Sequence, residues 1–175
     1  SLQEKSDIVV SQKRIDFTPT PEEIAQVALA HIRRTVNPVV SFGQGCEGDP
    51  LMAYRVIEPA IALIRKATPS GTIHMNTNAS QPDILKDLFD KGLDSIRVSM
   101  NSVHPDTYEA YFRPIGYQFN DVIRSIDLAL DKGRFVAINY LNSPGVNDSL
   151  EEVEALTQFL YQHPIHMIQW RNLNF

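Results

Sequence analysis

The chain has 175 residues, 43% hydrophobic and 21% charged, with a formal net charge of −5 at pH 7; this suits one soluble domain with a real core. The acidic balance, with short basic spots at Lys13-Arg14 and Arg33-Arg34, argues against nucleic acid as the main partner. No apolar run nears the roughly 20 residues that span a bilayer, and the single cysteine, Cys46, excludes an internal disulfide framework and cannot alone hold zinc or an iron–sulfur cluster.

The N-terminus shows no charged, apolar, small-residue pattern of the signal-peptide kind, so a cytoplasmic location is the default expectation. Ser1-Leu2-Gln3 opens without a methionine, and the chain reads as a piece of a longer protein. Residues 1–18 are polar apart from Ile8-Val9-Val10 and read as an irregular lead-in; residues 19–175 read as one domain. Thr20-Pro21-Glu22-Glu23 predicts a capping box with proline at the first helical position, opening a helix to about Arg34. Pro38–Phe42 follows as a short apolar strand.

The alternation repeats along the chain. A helix is expected over 51–66, with Ile57, Ala60, Ile61 and Ile64 on one face and Pro59 kinking or breaking it. Thr72–Asn76 is a strand, Pro82–Lys91 a helix stopped by Gly92, and Ser95–Asn101 a strand. A short helix near 105–112 and a longer one over Asp121–Lys132 precede a strand at Phe135–Leu141. Ser149 and Glu152 suggest a second capping box, opening a helix whose buried stripe is Val153, Leu156 and Leu160. Met167–Trp170 is the last strand.

Strands separated by helices imply parallel β/α units, either an open doubly wound sheet or part of a (β/α) barrel. Polarity along the strands favours the barrel. Ile73 and Met75 alternate with His74 and Asn76; Ile96, Val98 and Met100 with Arg97, Ser99 and Asn101; Ile168 and Trp170 with Gln169 and Arg171. Strands covered by helices on both faces would be continuously apolar. A polar face shared by successive strands suits an interior open to a polar ligand, with chemistry at the C-terminal strand ends. His74 is expected to be a hydrogen-bonded interior residue and Cys46 a small loop or core residue.

Gly43-Gln44-Gly45-Cys46-Glu47-Gly48 matches the G-x-G-x-x-G pattern of dinucleotide sites. Charge speaks against that use. The pattern works by offering bare amides to a pyrophosphate, whereas Glu47 and Asp49 would repel phosphates and Pro50 removes a donor. Carboxylates and carbonyls suit an ammonium group instead.

The segment Ser41–Leu51 resembles the glycine–glutamate–proline motif that follows the second strand in radical S-adenosylmethionine (radical SAM) enzymes, with Asp49 in the place of a glutamate. Gly71–Asn78 resembles the third strand of that family, Arg97–Ser102 the fourth, and Tyr108 through Arg113-Pro114 the segment after it. Phe135–Asn142 and Met167–Asn172 are similar to the fifth and sixth strands. The resemblance implies a partial (β/α) barrel made of strands two to six of a six-stranded barrel. It implies S-adenosylmethionine as cofactor, contacted by Glu47, Gly48, Asp49 and Pro50 at the methionine ammonium. Asn76, Asn78, Ser99, Asn101, Asn139, Gln169 and Arg171 are the further candidates for cofactor contact.

It further implies a [4Fe–4S] cluster held by a C-x-x-x-C-x-x-C loop after the first strand. That loop is expected upstream, in the parent protein, so this chain has no metal ligands of its own and is expected to be inert alone. The partners expected are the small-molecule cofactor and a substrate that the residues do not name. Two other readings stay open: an unrelated (β/α) barrel aldolase or isomerase, and a cluster-free barrel remnant acting as a binding module. The first would want a lysine or glutamate at a strand tip and a phosphate cradle in late loops; no lysine lies within a predicted strand.

Overall fold

The computed structural model describes residues 17–43 and 48–172. Helix α1 (Pro21–Arg34) precedes a repeating series: β1 (Val39–Phe42), a 3-10 turn (Pro50–Ala53), α2 (Tyr54–Ala67), β2 (Thr72–Thr77), α3 (Pro82–Lys91), β3 (Ser95–Met100), α4 (Pro105–Phe112), α5 (Phe119–Asp131), β4 (Phe135–Asn142), α6 (Leu150–Gln162) and β5 (Met167–Asn172). The sheet is five-stranded, in the order β1-β2-β3-β4-β5. Each neighbouring pair is parallel. A strand order that never reverses is the winding of a barrel; a doubly wound sheet would carry a switch point.

Burial follows the alternation in the sequence. Ile73, Met75, Ile96, Val98, Met100, Val136 and Ile138 have no exposed surface and pack under the helices. Leu85, Leu88 and Phe89 on α3 and Val122, Ile126 and Ala129 on α5 complete that layer. No helix among the described residues is long and apolar enough to cross a membrane.

Two local expectations are corrected. Of the two outcomes expected at Pro59, the break does not occur: α2 runs unbroken through it. Ile57, Ala60, Ile61 and Ile64 are buried on α2, and fully burying an isoleucine side chain is worth about 1.5–3 kcal/mol, against about 3 kcal/mol for an interior proline. The break falls earlier, where the 3-10 turn at Pro50–Ala53 gives way to α2. At α6, the Ser149 hydroxyl accepts the Glu152 amide at 3.2 Å, but the Glu152 carboxylate does not close the box. It turns inward, buried, and takes Ser102 Oγ at 3.0 and 2.8 Å. The buried stripe is therefore Glu152, Leu156 and Phe159, while Val153 is 48% exposed.

At the N-terminal ends of the strands, Arg65 acts as a many-armed donor. Its guanidinium reaches the carbonyls of Gly92 at 3.0 Å, Gly71 at 3.1 Å, Ser70 at 3.2 Å and Pro69 at 3.3 Å, and it pairs with Asp94. Asp94 in turn accepts the Ile73 amide at 2.7 Å. One side chain of α2 thus ties the α2–β2 and α3–β3 connections. Gly92 ends α3 in the left-handed region (φ +114°), where a Cβ would come within 2.6 Å of Arg65 Cγ.

Replacing Arg65 by methionine should keep the stem's packing yet strand these carbonyls and Asp94. We expect a loss of about 2–3 kcal/mol, read as a lower urea midpoint by Trp170 fluorescence. An unchanged midpoint would show that the cluster contributes nothing.

Candidate functional site

The register brings the polar residues of successive strands onto one face. Ser41 pairs with His74 and His74 with Ser95; Asn76 pairs with Arg97 and Arg97 with Ala137; Ser99 pairs with Asn139 and Asn139 with Gln169. Leu141 pairs with Arg171. The side chains are joined across the strands. His74 Nδ1 lies 2.7 Å from Ser95 Oγ and its Nε2 3.3 Å from Asn76 Oδ1. Asn76 Nδ2 reaches Ser41 Oγ at 3.5 Å. Arg97 donates from Nε to Asn76 Oδ1 at 2.7 Å and from an η nitrogen to Gln169 Oε1 at 2.5 Å. Arg171 Nε approaches Asn139 Oδ1 at 3.4 Å.

Capacity remains in this row. The Ser99 hydroxyl at the tip of β3 has no partner among the described residues, and the amide nitrogens of Asn139 and Gln169 are unspent. Half-buried groups with free donors and acceptors suit a polar ligand bearing hydroxyls and a carboxylate.

The loop after β1 is tied down by Asp49. Its carboxylate caps the 3-10 turn through the Leu51 amide at 3.0 Å. It also accepts Thr77 Oγ1 at 2.8 and 3.1 Å and the Asn78 amide at 2.6 Å. Three donors of its own chain thus meet Asp49, whose carboxylate has about four acceptor positions, and its visible role is to clip the loop to the tip of β2. Gly43 makes the approach possible: at φ +77°, a Cβ there would lie 2.3 Å from the Asn76 carbonyl oxygen. Pro50 is buried at the first position of the turn, and Gly48 is exposed at φ +98°. Glu47 and Cys46 lie outside the described residues.

Asn78 and Asn101 are used structurally as well. Asn78 Oδ1 accepts the Ser80 amide at 3.0 Å, a local turn. Asn101 is 3% exposed and donates to the Thr107 carbonyl at 3.3 Å, beyond the end of β3. Asn147, which the sequence did not single out, bonds the carbonyls of Asn101 and of Leu141. Its own oxygen takes the Ser143 amide at 2.7 Å. It ties the exits of β3 and β4 together. Tyr108, buried and stacked on Phe112 with ring centroids 4.6 Å apart, sets its hydroxyl 3.4 Å from that of Tyr117. Burial first, then that hydrogen bond and the nearby charge of Asp49, push its ionisation well above the ordinary tyrosine range.

A groove of about 710 Å³ lies between α1 and β1, lined by apolar residues such as Phe17, Ile24, Val27 and Phe42 together with the polar Glu23, Gln26, His31 and Ser41.

His74 is held below the ordinary histidine range, by burial first and with Arg97 adding to the effect against its bond to Asn76. The unfolded chain, with histidine near 6.5, therefore binds a proton that the folded chain refuses. Stability should be full above about pH 6.5 and fall as the pH drops towards the folded value. His74→Gln should flatten that part of a urea-midpoint against pH series; an identical slope in the variant would remove His74 as its source.

With the geometry in hand, likeness to known proteins narrows the reading. A probable GTP 3',8-cyclase of Thermoplasma volcanium is 30% identical over 151 residues, which are 80% of this chain and 44% of that protein. The chain spans less than half the length of each relative it matches. Among solved structures, methylornithine synthase (PylB) superposes with a TM-score of 0.65 at 14% identity, covering 92% of this chain and 46% of that one. Streptococcus suis SuiB bound to S-adenosylmethionine gives 0.63 at 18%, covering 93% and 36%. Such low identities speak to the fold, here a partial barrel. The family model described as the Radical SAM superfamily matches residues 6–160, and the chain belongs to that superfamily.

Proposed function

We propose that these residues form the cofactor-holding barrel of a radical SAM enzyme, with residues 19–175 acting as one unit of a longer, cytoplasmic protein. S-adenosylmethionine would lie across the C-terminal strand ends. Its ammonium would be received by Glu47 and the carbonyls of the loop that Gly48, Asp49 and Pro50 shape. Its ribose and carboxylate would meet Ser99, Asn139, Gln169 and Arg171. Asn76 aligns the face by holding Arg97 and His74, while Asn78 and Asn101 frame the strand exits. The observation that carries the reading is the polar row across the strands, with Ser99 at its tip still free to bond. The solved SuiB complex, which holds S-adenosylmethionine in the same fold, supports it.

When bound, the cofactor supplies a carbon–sulfur bond that one-electron reduction can cleave. The protein's own contribution is to orient and to exclude. Asp49 fixes the loop against β2, Asn147 fixes the exits of β3 and β4, and the packed helices keep water from the outer side of the sheet. The reducing [4Fe–4S] cluster of the family is not built by these residues: it needs three thiolates, and the sequence holds one cysteine. Its ligands would come from other parts of the longer protein.

The longest natural form, reconstituted with iron and sulfide and reduced without oxygen, should release 5'-deoxyadenosine from S-adenosylmethionine. Failure to do so with an intact cluster spectrum would overturn the reading. Within this chain, Asp49→Ala frees the glycine loop, and we expect calorimetry to show at least tenfold weaker binding of S-adenosylmethionine. Ser99→Ala removes one hydrogen bond, for a loss of about 3- to 10-fold. Equal affinity in both variants would place the cofactor elsewhere.

A further inference from the structure

We propose that Arg97 is an anion-receiving residue of the barrel interior, and that the substrate handled on this face carries a carboxylate or phosphate group. The inference rests on the preceding reading only in taking the strand face as the reaction chamber.

Its basis is a charge without a counter-charge. Arg97 is half-buried in mid-strand, and among the described residues no carboxylate lies within ion-pair distance of it. Its two bonds are to the neutral oxygens of Asn76 and Gln169. A partly buried cation held only by amides keeps much of its desolvation cost. A guanidinium has five donors, and the two used here leave part of the fork open for a bidentate anion. The strands place no aspartate or glutamate on this face; Ser41, His74, Asn76, Ser95, Ser99, Ala137, Asn139 and Gln169 accompany Arg97 and Arg171. In a chain of net charge −5, that is a local reversal of sign.

The guanidinium is also aimed. Arg97 starts on β3 and bonds Gln169 on β5, passing over β4, where the residue paired with it is Ala137. A methyl group leaves the lane open. The Arg97 Nε stays on Asn76 of β2, so the guanidinium bridges β2 and β5 with its remaining donors open to the chamber. The anion that meets those donors is assigned to the substrate.

The test titrates inorganic pyrophosphate and malonate, separately, into the full chain at low salt, with Trp170 fluorescence and calorimetry as readouts. Three variants are compared. Arg97→Gln should weaken whichever anion binds by at least tenfold. Arg97→Lys keeps the charge but loses the fork, and should recover only part of the affinity. Arg124→Gln, on the exposed side of α5, controls for general charge and should change nothing. An unchanged urea midpoint in Arg97→Gln certifies the fold, and its affinity for S-adenosylmethionine is measured alongside.

If neither anion binds, or if binding is equal in Arg97→Gln and the native chain, the proposal is wrong. Loss of S-adenosylmethionine binding without loss of anion binding overturns it too, by giving Arg97 to the cofactor. Failure of the native chain to bind S-adenosylmethionine, with the anion effect intact, would sink the cofactor reading and leave this one standing.

Discussion

A β-strand alternates its side chains between two faces, and in this chain the second face is polar over several successive strands. Those polar groups must find partners or stay wet, and the molecule answers with bonds that run from strand to strand. Asn76 is the pivot, accepting from Arg97 and His74 while donating towards Ser41. Through it, β1, β2 and β3 share one network, which Arg97 extends to β5. The consecutive parallel order is what makes such a row possible, because register then repeats from pair to pair without a reversal.

Two further clusters hold this row at a fixed geometry from opposite ends. Below, Arg65 gathers carbonyls from two connections and neutralises Asp94. Above, Asp49 and Asn147 each join segments far apart in sequence, the first at the β1–β2 exit and the second at the β3–β4 exit. Each is a polar side chain spent on backbone groups that a tight loop leaves without partners. The exits are thus held rigidly where a ligand would need preorganised contacts, while the strand face between them keeps unspent donors.

The period-2 polarity and the cap and stop residues were legible from the chain alone, because each is a local signal. They yielded the element order, the barrel rather than the doubly wound sheet, and Ser99, Asn139 and Gln169 on one face. What escaped depended on long-range partners. Glu152 carries the local mark of a capping box, yet its carboxylate serves Ser102, 50 residues away. Asp49 carries the mark of an ammonium acceptor, and its clip onto Thr77 and the Asn78 amide, 28 and 29 residues on, leaves no mark in the local sequence. Asn78 and Asn101 share the parity of site residues but lie past the strand ends, where the Asn78 oxygen takes the Ser80 amide and the Asn101 nitrogen donates to the Thr107 carbonyl. Arg97 was visible only as one polar position in an alternation; its importance lies in having no carboxylate nearby, which spacing cannot reveal.

Ala137 adds a different kind of constraint. It offers no polar atom and touches the chemistry only by being small, yet it decides whether a long side chain from one strand can cross its neighbour to meet the next. A residue of this sort is a selectivity element made of empty space. Related barrels could re-aim the same arginine, and so prefer differently shaped substrates, by changing bulk at that position while every hydrogen-bonding residue stays as it is.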